Sequence, residues 1–269
     1  MIKVKKAVLW VSVILIIFLG LVFSLKDKFL RQEEDYRFGQ SKLPELIAHA
    51  GGGIESLTLT NSLQALDSNY DKGFKFIEVD FNWTSDGRLV LIHDWGETLQ
   101  RLYGVSFADH TLEDFMRLKM QGGLTQLSLE ELTGWMVDHR DVYIVTDAKS
   151  ENIRALGLIR KKYPQLLSNF IAQIYFFEEY PLAKGMGYEH IILTLYRSLY
   201  SDRDVLSFAR KKDLLAVAMP VYRALNDLPL KLRRIGVPSY VHTVNEDFLR
   251  QELRRRGVYG VYTDFLKPQ

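Results

Sequence analysis

Two pairs of ionisable residues interrupt apolar runs of the sequence: Glu78 and Asp80 in FIEVDF, and Asp147 and Lys149 in VYIVTDAK. Because side chains alternate along a strand, the members of each pair point to one face. Neighbouring carboxylates in an apolar strand repel each other and resist loss of water, and a bound cation relieves both costs. Three carboxylates suit Ca²⁺ or Mg²⁺ better than zinc, so Glu78, Asp80 and Asp147 are predicted metal ligands. The alternative, in which each pairs with an arginine or caps a helix, explains their recurrence at equivalent strand positions less well.

Two histidines lie at the ends of similar apolar runs. His49 follows LIA and His93 follows LVLI. Imidazole is the natural general acid or base near neutral pH, so both residues are predicted to transfer protons. Glycines 51–53, after His49, let backbone approach a ligand closely and offer N–H donors to a phosphate, although such a triplet is a weak signal by itself.

From about Leu43 the chain alternates short apolar runs with amphipathic stretches. Apolar strands that are buried on both faces and separated by helices are typical of a parallel sheet. About eight such units in residues 41–269 fit a closed (β/α)8 barrel, the TIM barrel, which collects its chemistry at the carboxyl ends of its strands. The predicted fold class is therefore α/β with a TIM barrel, and an open, doubly wound sheet is the alternative.

The elements of this barrel follow from the same pattern. The predicted strands are the runs 46–51, 76–81, 88–94, 142–149, 170–177, 190–197, 214–220, 239–245 and 257–264. The predicted helices are 61–70, 127–140, 152–163, 201–212, 227–235 and 246–256. Between 94 and 127 the sequence carries little strand signal.

Composition excludes several classes of protein. The chain has 47% hydrophobic and 25% charged residues, which indicates a folded protein. Thirty-five Lys and Arg against 33 Asp and Glu give a net charge of +2, so no nucleic-acid partner is expected. The absence of cysteine excludes a disulfide scaffold, a thiol nucleophile and a Cys-type zinc site. Any metal site must therefore use oxygen and imidazole ligands.

The first 25 residues form a separate segment. Residues 1–6 carry three lysines, and the 19 residues 7–25 carry no charge. As a helix this run spans roughly 28 Å, close to the hydrocarbon thickness of a bilayer. No A-x-A-like cleavage site follows it, so an uncleaved transmembrane anchor is predicted, with a cleaved signal peptide as the alternative. Residues 26–42 are predicted as a tether, residues 43–269 as the barrel, and a slight positive-inside bias favours an extracytoplasmic barrel.

Six motifs of the sequence resemble, in order, those of the glycerophosphodiester phosphodiesterase family. They are HAGGG (49–53), TNS (60–62), EVDFNWTSDGRLVLIHD (78–94), DAK (147–149), HTVN (242–245) and GVYGVYTD (257–264). The family pattern is roughly H-R-G, P-E-N-T, E-x-D with T-x-D-G and V-x-x-H-D, E-x-K, W-T-V-N and G-V-D-G-I-x-T-D. The resemblance implies a TIM barrel that hydrolyses glycerophosphodiesters to sn-glycerol 3-phosphate and an alcohol, using Ca²⁺ or Mg²⁺.

The resemblance also implies roles for single residues. His49 and His93 correspond to an acid–base pair, in which one helps a hydroxyl or water attack phosphorus and the other protonates the leaving alcohol. Glu78, Asp80 and Asp147 correspond to the metal ligands. Asp147 stands where the family has glutamate, so this ligand is one methylene shorter.

The substrate-binding positions depart from the family pattern. Lys149 resembles the family's lysine near the phosphate, and Asn61 matches the Asn of P-E-N-T. The arginine of H-R-G is Ala50 here, and the Trp of W-T-V-N is His242, which lies either at the barrel mouth or in the core. We therefore expect a divergent subgroup, in which Lys149 and Arg197, at the end of LTLYR, hold the phosphate.

Three other functions compete with this interpretation. A phospholipase of the phosphatidylinositol or sphingomyelinase D type would share the barrel and metal, and the predicted anchor would hold it near lipid head groups. An inactive, membrane-tethered binding module is favoured by the missing arginine, but the retained histidines and carboxylates oppose it. A glycosidase is disfavoured, since Glu78 and Asp80 on one strand face do not flank a sugar.

Overall fold

The computed structural model of the protein describes residues 36–38, 41–106 and 110–268. Its contacts divide the chain into two compact units, residues 1–43 and 44–269.

In the first unit, two short strands, β1 (Arg37–Phe38) and β2 (Ser41–Lys42), pair antiparallel. The predicted anchor, residues 1–25, lies outside the described residues, as does most of the predicted tether, 26–42. Of the helices that are described, none is long and apolar enough to cross a membrane.

The second unit is a closed barrel of eight parallel strands with one antiparallel addition. Its strands are β3 (Leu46–Ala48), β4 (Phe76–Trp83), β5 (Leu89–Leu91), β6 (Tyr143–Ala148), β7 (Phe170–Ile174), β8 (Ile191–Thr194), β9 (Ala216–Pro220), β10 (Ser239–His242) and β11 (Gly260–Thr263). The order around the barrel is β3-β4-β6-β7-β8-β9-β10-β11, and pairing of β11 with β3 closes it. β5 lies antiparallel on β4. This confirms the predicted TIM barrel and excludes the open sheet.

Ten described α-helices accompany these strands. They are α1 (Leu63–Asp71), α2 (Glu97–Tyr103), α3 (Leu112–Arg117), α4 (Leu129–Asp138), α5 (Asn152–Lys162), α6 (Glu179–Gly185), α7 (Asp202–Ala209), α8 (Val221–Ala224), α9 (Leu228–Arg234) and α10 (Asp247–Arg255). The six predicted helices correspond to α1, α4, α5, α7, α9 and α10. The other four, each of seven residues or fewer, are not among the predicted helices, and α2 and α3 occupy the stretch that carries little strand signal.

Side-chain alternation decides what each face of a barrel strand contacts. Ile77, Val79 and Phe81 of β4 belong to the apolar cluster that also contains helix residues, so they face the outer layer. Glu78 and Asp80, between them, face the barrel interior. Residues of neighbouring strands stand at the same level, since parallel pairing fixes the register, and Asp80 is the register partner of Asp147 on β6. The fold thus brings the predicted metal ligands together.

Candidate active site

Three carboxylates, the acidic triad, meet inside the barrel. Glu78, Asp80 and Asp147 offer ligand oxygens that lie within 4.8 Å of one another. All three side chains are buried. Glu78 Oε2 accepts a hydrogen bond from the Ala50 N–H at 2.7 Å, whereas Glu78 Oε1 is buried with no hydrogen-bond partner among the described residues. A buried carboxylate oxygen without a partner is costly, and a hard divalent cation would satisfy it, so the triad can hold such an ion.

The acidic triad is electrostatically unequal. Burial, and next the neighbouring charge of Asp80, raise the pKa of Glu78 to about 8. Burial alone would raise the pKa of Asp147 as well, but the charge and hydrogen bond of Lys149 outweigh it and lower that pKa to about 2. A cation at these oxygens would favour the ionised form of Glu78, because opposite charges lower a carboxyl pKa.

Lys149 brings a positive charge to the acidic triad. Its Nζ lies 2.8 Å from Asp147 Oδ2 in a hydrogen bond, and 2.5 Å from Asp80 Oδ1 in an ion pair that lacks hydrogen-bond geometry. Burial alone would lower the pKa of Lys149, but the charges of Asp80 and Asp147 raise it well above its usual value. The ammonium group therefore stays charged at the edge of the triad.

Two tyrosine hydroxyls hold Asp147. Tyr175 donates to Asp147 Oδ1, and Tyr196 donates to the same oxygen at 2.9 Å and contacts Oδ2 at 3.2 Å. Neither tyrosine is among the predicted site residues. Tyr175 is the first residue after β7 and Tyr196 the second after β8, at the strand ends where a TIM barrel places its chemistry. That position is the signal that could have identified them.

Asn61 contacts the acidic triad through Asp80. Its Nδ2 donates to Asp80 Oδ2 at 2.8 Å, and its Oδ1 accepts from the Asp80 N–H at 2.9 Å. The side chain is fully buried, and the backbone has a left-handed φ of 48°. These contacts orient Asp80, and the predicted contact of Asn61 with substrate stays a prediction.

His49 lies at the end of β3 with a carboxylate on its ring. Its Nδ1 is 3.0 Å from Asp264 Oδ1, and Asn245 donates to Asp264 Oδ2 at 2.9 Å. Burial would lower the pKa of His49, but the hydrogen bond to Asp264 and the charge of Glu78 outweigh it and raise that pKa to about 9. A protonated imidazole held in this way is a ready proton donor. The motifs HTVN and GVYGVYTD contain Asn245 and Asp264, for which the sequence predicts no role.

His93, which follows β5, has the same arrangement. Its Nδ1 is 2.9 Å from Asp94 Oδ2, and its side chain is 37% exposed. Asp94 also accepts hydrogen bonds from the Thr98 hydroxyl at 2.6 Å and from the N–H groups of Gly96 and Thr98 at 2.9 and 3.1 Å. A carboxylate on Nδ1 fixes the ring and leaves Nε2 for a substrate.

The expected phosphate contacts are only partly in place. Arg197 donates to the carbonyls of Ala148 and Lys149, at 3.2 and 2.8 Å, and its guanidinium lies 4.0 Å over the Tyr175 ring. It therefore stands at the end of β6, beside Lys149. His242 lies against the Tyr196 ring at 5.6 Å between centroids, and burial together with the charge of His49 lowers its pKa to about 4. His242 is thus neutral at the barrel mouth.

In the turn after His49, the position of the family's arginine is occupied by Ala50, which contacts the site through its backbone N–H. Ala50 is fully buried at a left-handed φ of 52°, and its N–H is the donor to Glu78. The N–H groups of Gly52 and Gly53 donate to the carbonyls of His49 and Asp264, both at 2.8 Å. The expectation that these two glycines offer donors to a phosphate is therefore wrong, because their N–H groups close the turn instead.

The fold and these contacts define a (β/α)8-barrel enzyme site. The model of the Glycerophosphoryl diester phosphodiesterase family matches residues 49–267, most of the chain. The chain belongs to this family and is a phosphodiesterase.

Solved structures share the barrel. A glycerophosphodiester phosphodiesterase from Thermotoga maritima is 23% identical, with a TM-score of 0.65 over 84% of this chain and 96% of that one. One from Parabacteroides distasonis is 19% identical, with a TM-score of 0.66 over 82% and 92% of the two chains. A phosphodiesterase from Oleispira antarctica, in complex with the product sn-glycerol-3-phosphate, is 18% identical, with a TM-score of 0.62 over 83% and 94%. At these identities the similarity shows the common fold.

Proposed function

We propose that this protein hydrolyses glycerophosphodiesters to glycerol 3-phosphate and an alcohol at the acidic triad. The observation that carries the proposal is the partnerless Glu78 Oε1 inside a triad whose oxygens lie within 4.8 Å of one another, next to the His49–Asp264 pair. The substrate class is supported by the family, and by the sn-glycerol-3-phosphate bound to the Oleispira antarctica enzyme.

The acidic triad would hold one divalent cation, Ca²⁺ or Mg²⁺. When bound, the cation supplies positive charge to the phosphate as a Lewis acid. The protein contributes the orientation of the ligands: Asn61 fixes Asp80, and the Tyr175 and Tyr196 hydroxyls fix Asp147. Such outer contacts orient the ligands for the ion.

The two histidines divide the proton transfers. His49, whose imidazolium is stabilised by Asp264, protonates the alcohol that leaves phosphorus. His93, fixed by Asp94, takes the proton from the attacking hydroxyl or water. Each carboxylate holds its ring in one orientation through Nδ1.

The phosphate is held by positive charge at the end of β6. Lys149 lies between Asp80 and Asp147, and Arg197 reaches the same strand end from β8. This pair replaces the family arginine, because the side chain of Ala50 is too short to reach a phosphate. The divergent HAGGG motif thereby keeps a phosphate site with a different source of charge.

Metal-dependent hydrolysis is the first test. The full chain, stripped with chelator and resupplied with Ca²⁺ or Mg²⁺, is assayed on glycerophosphocholine, glycerophosphoethanolamine and glycerophosphoinositol, and on intact phospholipids. We expect metal-restored release of glycerol 3-phosphate, absent in His49→Ala. Release of other products from phospholipids would favour the phospholipase function. If no diester is hydrolysed although metal is still bound, the proposed hydrolysis would be rejected and a binding module favoured.

We also propose that residues 7–25 anchor the protein with its barrel on the extracytoplasmic side. The 19 uncharged residues and the preceding lysines support this topology. Alkaline extraction of membranes should leave the full chain in the pellet, and a carboxyl-terminal alkaline phosphatase fusion should be active. Release of a shortened chain would support a cleaved signal peptide, and an inactive fusion would reverse the topology.

A further inference from the structure

Large apolar side chains project from one side of the barrel mouth. Five of them form what we call the apolar rim: Phe176, Leu199, Tyr222, Phe248 and Phe265, with exposed fractions of 42, 103, 68, 74 and 43%. They follow β7, β8, β9, β10 and β11 in turn, and these five strands are consecutive around the barrel. Carboxyl ends of parallel strands share one end of a barrel, so the apolar rim borders the same opening as the acidic triad.

This placement is uneven around the barrel. Seven of the nine large apolar side chains exposed among the described residues lie within six residues of the end of one of the strands β7 to β11, since Tyr196 and Leu225 join the five of the rim. The other two, Val137 and Leu182, lie in helices α4 and α6. Single exposed apolar residues are ordinary, but a group concentrated at one opening marks an interaction surface.

The character of the rim indicates its partner. Each side chain comes from a different strand end: Phe176, Leu199 and Phe265 lie in loops, and Tyr222 and Phe248 lie in the first turns of α8 and α10. Separate aromatic and aliphatic side chains suit a fluid hydrocarbon layer, as at the edges of membrane proteins. The sequence also carries the uncharged run 7–25, and the 17 residues of the predicted tether span at most roughly 60 Å when fully extended. An anchored barrel therefore stays within reach of the bilayer.

We propose that the apolar rim inserts into the surface of a phospholipid bilayer and turns the barrel mouth toward phosphodiester lipids in that bilayer. The proposal rests on the proposed phosphodiesterase function and names its substrate class: diesters presented at a membrane. The acidic triad then receives a head group from the lipid surface, while the apolar half of the mouth replaces water with hydrocarbon.

Insertion is measured site by site, because the sequence has no cysteine and accepts a single one as a label. Leu199→Cys, Phe248→Cys and the control Val137→Cys, each in the full chain, carry an environment-sensitive fluorophore. Val137 is 45% exposed but lies in the last turn of α4, which leads into the amino end of β6 at the opposite end of the barrel. In vesicles of phosphatidylcholine and phosphatidylglycerol, quenching by doxyl-labelled lipid should be strong at positions 199 and 248 and weak at 137. Equal quenching at all three positions would overturn the proposal.

A rate comparison separates this proposal from the proposed function. The double variant Leu199→Ser, Phe248→Ser should hydrolyse lysophosphatidylcholine in vesicles about tenfold more slowly than the wild type, since less apolar surface partitions into lipid. Its rate on soluble glycerophosphocholine should be unchanged. Equal loss on both substrates would show that the rim shapes the site, and so overturn docking. No hydrolysis of any diester by the wild type would reject the proposed function, while the quenching still tests insertion.

A second copy of the chain is the competing occupant. Light scattering of the full chain in nanodiscs should show one chain per disc for the wild type and the double variant alike. A wild-type dimer that the double variant loses would overturn bilayer docking in favour of self-association.

Discussion

The two halves of the barrel mouth use the same position of the fold in opposite ways. At β3, β4 and β6, ionisable side chains point into the barrel, and the acidic triad is buried. At β7 to β11, large apolar side chains lie shortly after the strand ends and are exposed. The acidic half therefore buries charged groups, and the apolar half exposes hydrophobic side chains to water. Both arrangements lower the stability of the fold, and both are common at functional surfaces.

The difference lies in how each half is stabilised. Carboxylates in the acidic half are held by partners inside the barrel, such as Lys149 and the Tyr175 hydroxyl on Asp147. Buried charges are retained only with such partners. The exposed side chains of the apolar half are stabilised only when apolar surface covers them, which is what the proposed bilayer contact supplies. The acidic half would gain most from an ion, and the apolar half from a lipid surface.

The largest effect is expected from Glu78→Gln, which removes the charge of one ligand and keeps its shape. Metal affinity should fall more than roughly a hundredfold, because even outer partners of a ligand contribute about 10- to 100-fold. Stability without metal should be kept or raised, since Glu78 repels Asp80 in a buried site. Calorimetric Mg²⁺ titration and thermal unfolding in chelator measure both. The exposed Glu97→Gln is the control, and wild-type metal affinity in Glu78→Gln would show that the triad is not the metal site.

Asp264→Asn should lower kcat about a hundredfold, because it removes the carboxylate that orients His49. It also has a signature in pH. Loss of the Asp264 charge lowers the pKa of His49 from about 9, so the proton donor is lost at lower pH. The alkaline limb of the kcat/KM profile should therefore move toward lower pH, while the exposed Asp213→Asn leaves it in place. A slower variant with an unmoved alkaline limb would contradict the acid role of His49.

Tyr196→Phe and Tyr175→Phe test where the two halves meet, since both tyrosines follow strands of the apolar half and bond a residue of the acidic one. Each should weaken metal binding about tenfold, as expected for contacts that orient a ligand. The control Tyr222→Phe, in the apolar rim, should leave the metal affinity unchanged. Unchanged metal affinity in both site variants would mean that Asp147 is held well enough by Lys149 alone.

The sequence predicts the acidic half well and the apolar half poorly, for a physical reason. Polar residues inside an apolar run are conspicuous, so Glu78, Asp80 and Asp147 stand out by residue type alone. In the sequence, exposed apolar residues that follow a strand cannot be distinguished from further residues of that strand. Phe176 and Tyr196 therefore fall within the predicted strands 170–177 and 190–197, although β7 ends at Ile174 and β8 at Thr194.

Contacts between distant segments are not predictable from residue pattern either. The pairing of His49 with Asp264 joins residues 215 positions apart, and only the closure of β11 on β3 brings them together. Asn61 shows the same limit: its residue type suggests hydrogen bonding, but only the fold shows that Asp80 is its partner. The type of a residue indicates which chemistry it can perform, whereas the topology of the fold determines which residues it contacts.

Arg197→Ala should have the smallest effect, and it addresses how one half serves the other. Arg197 leaves β8 and bonds the carbonyls of Ala148 and Lys149, so its charge lies beside the proposed phosphate position. KM for glycerophosphocholine should rise about fivefold to tenfold with little change in kcat, because the contact is made equally in ground and transition states. Arg197→Lys should restore KM only in part, since lysine keeps the positive charge but lacks the planar guanidinium that forms paired hydrogen bonds. The exposed Arg203→Ala is the control. An unaltered specificity constant would remove Arg197 from the phosphate site, whereas a lower melting temperature with unchanged KM would assign it to bracing the end of β6.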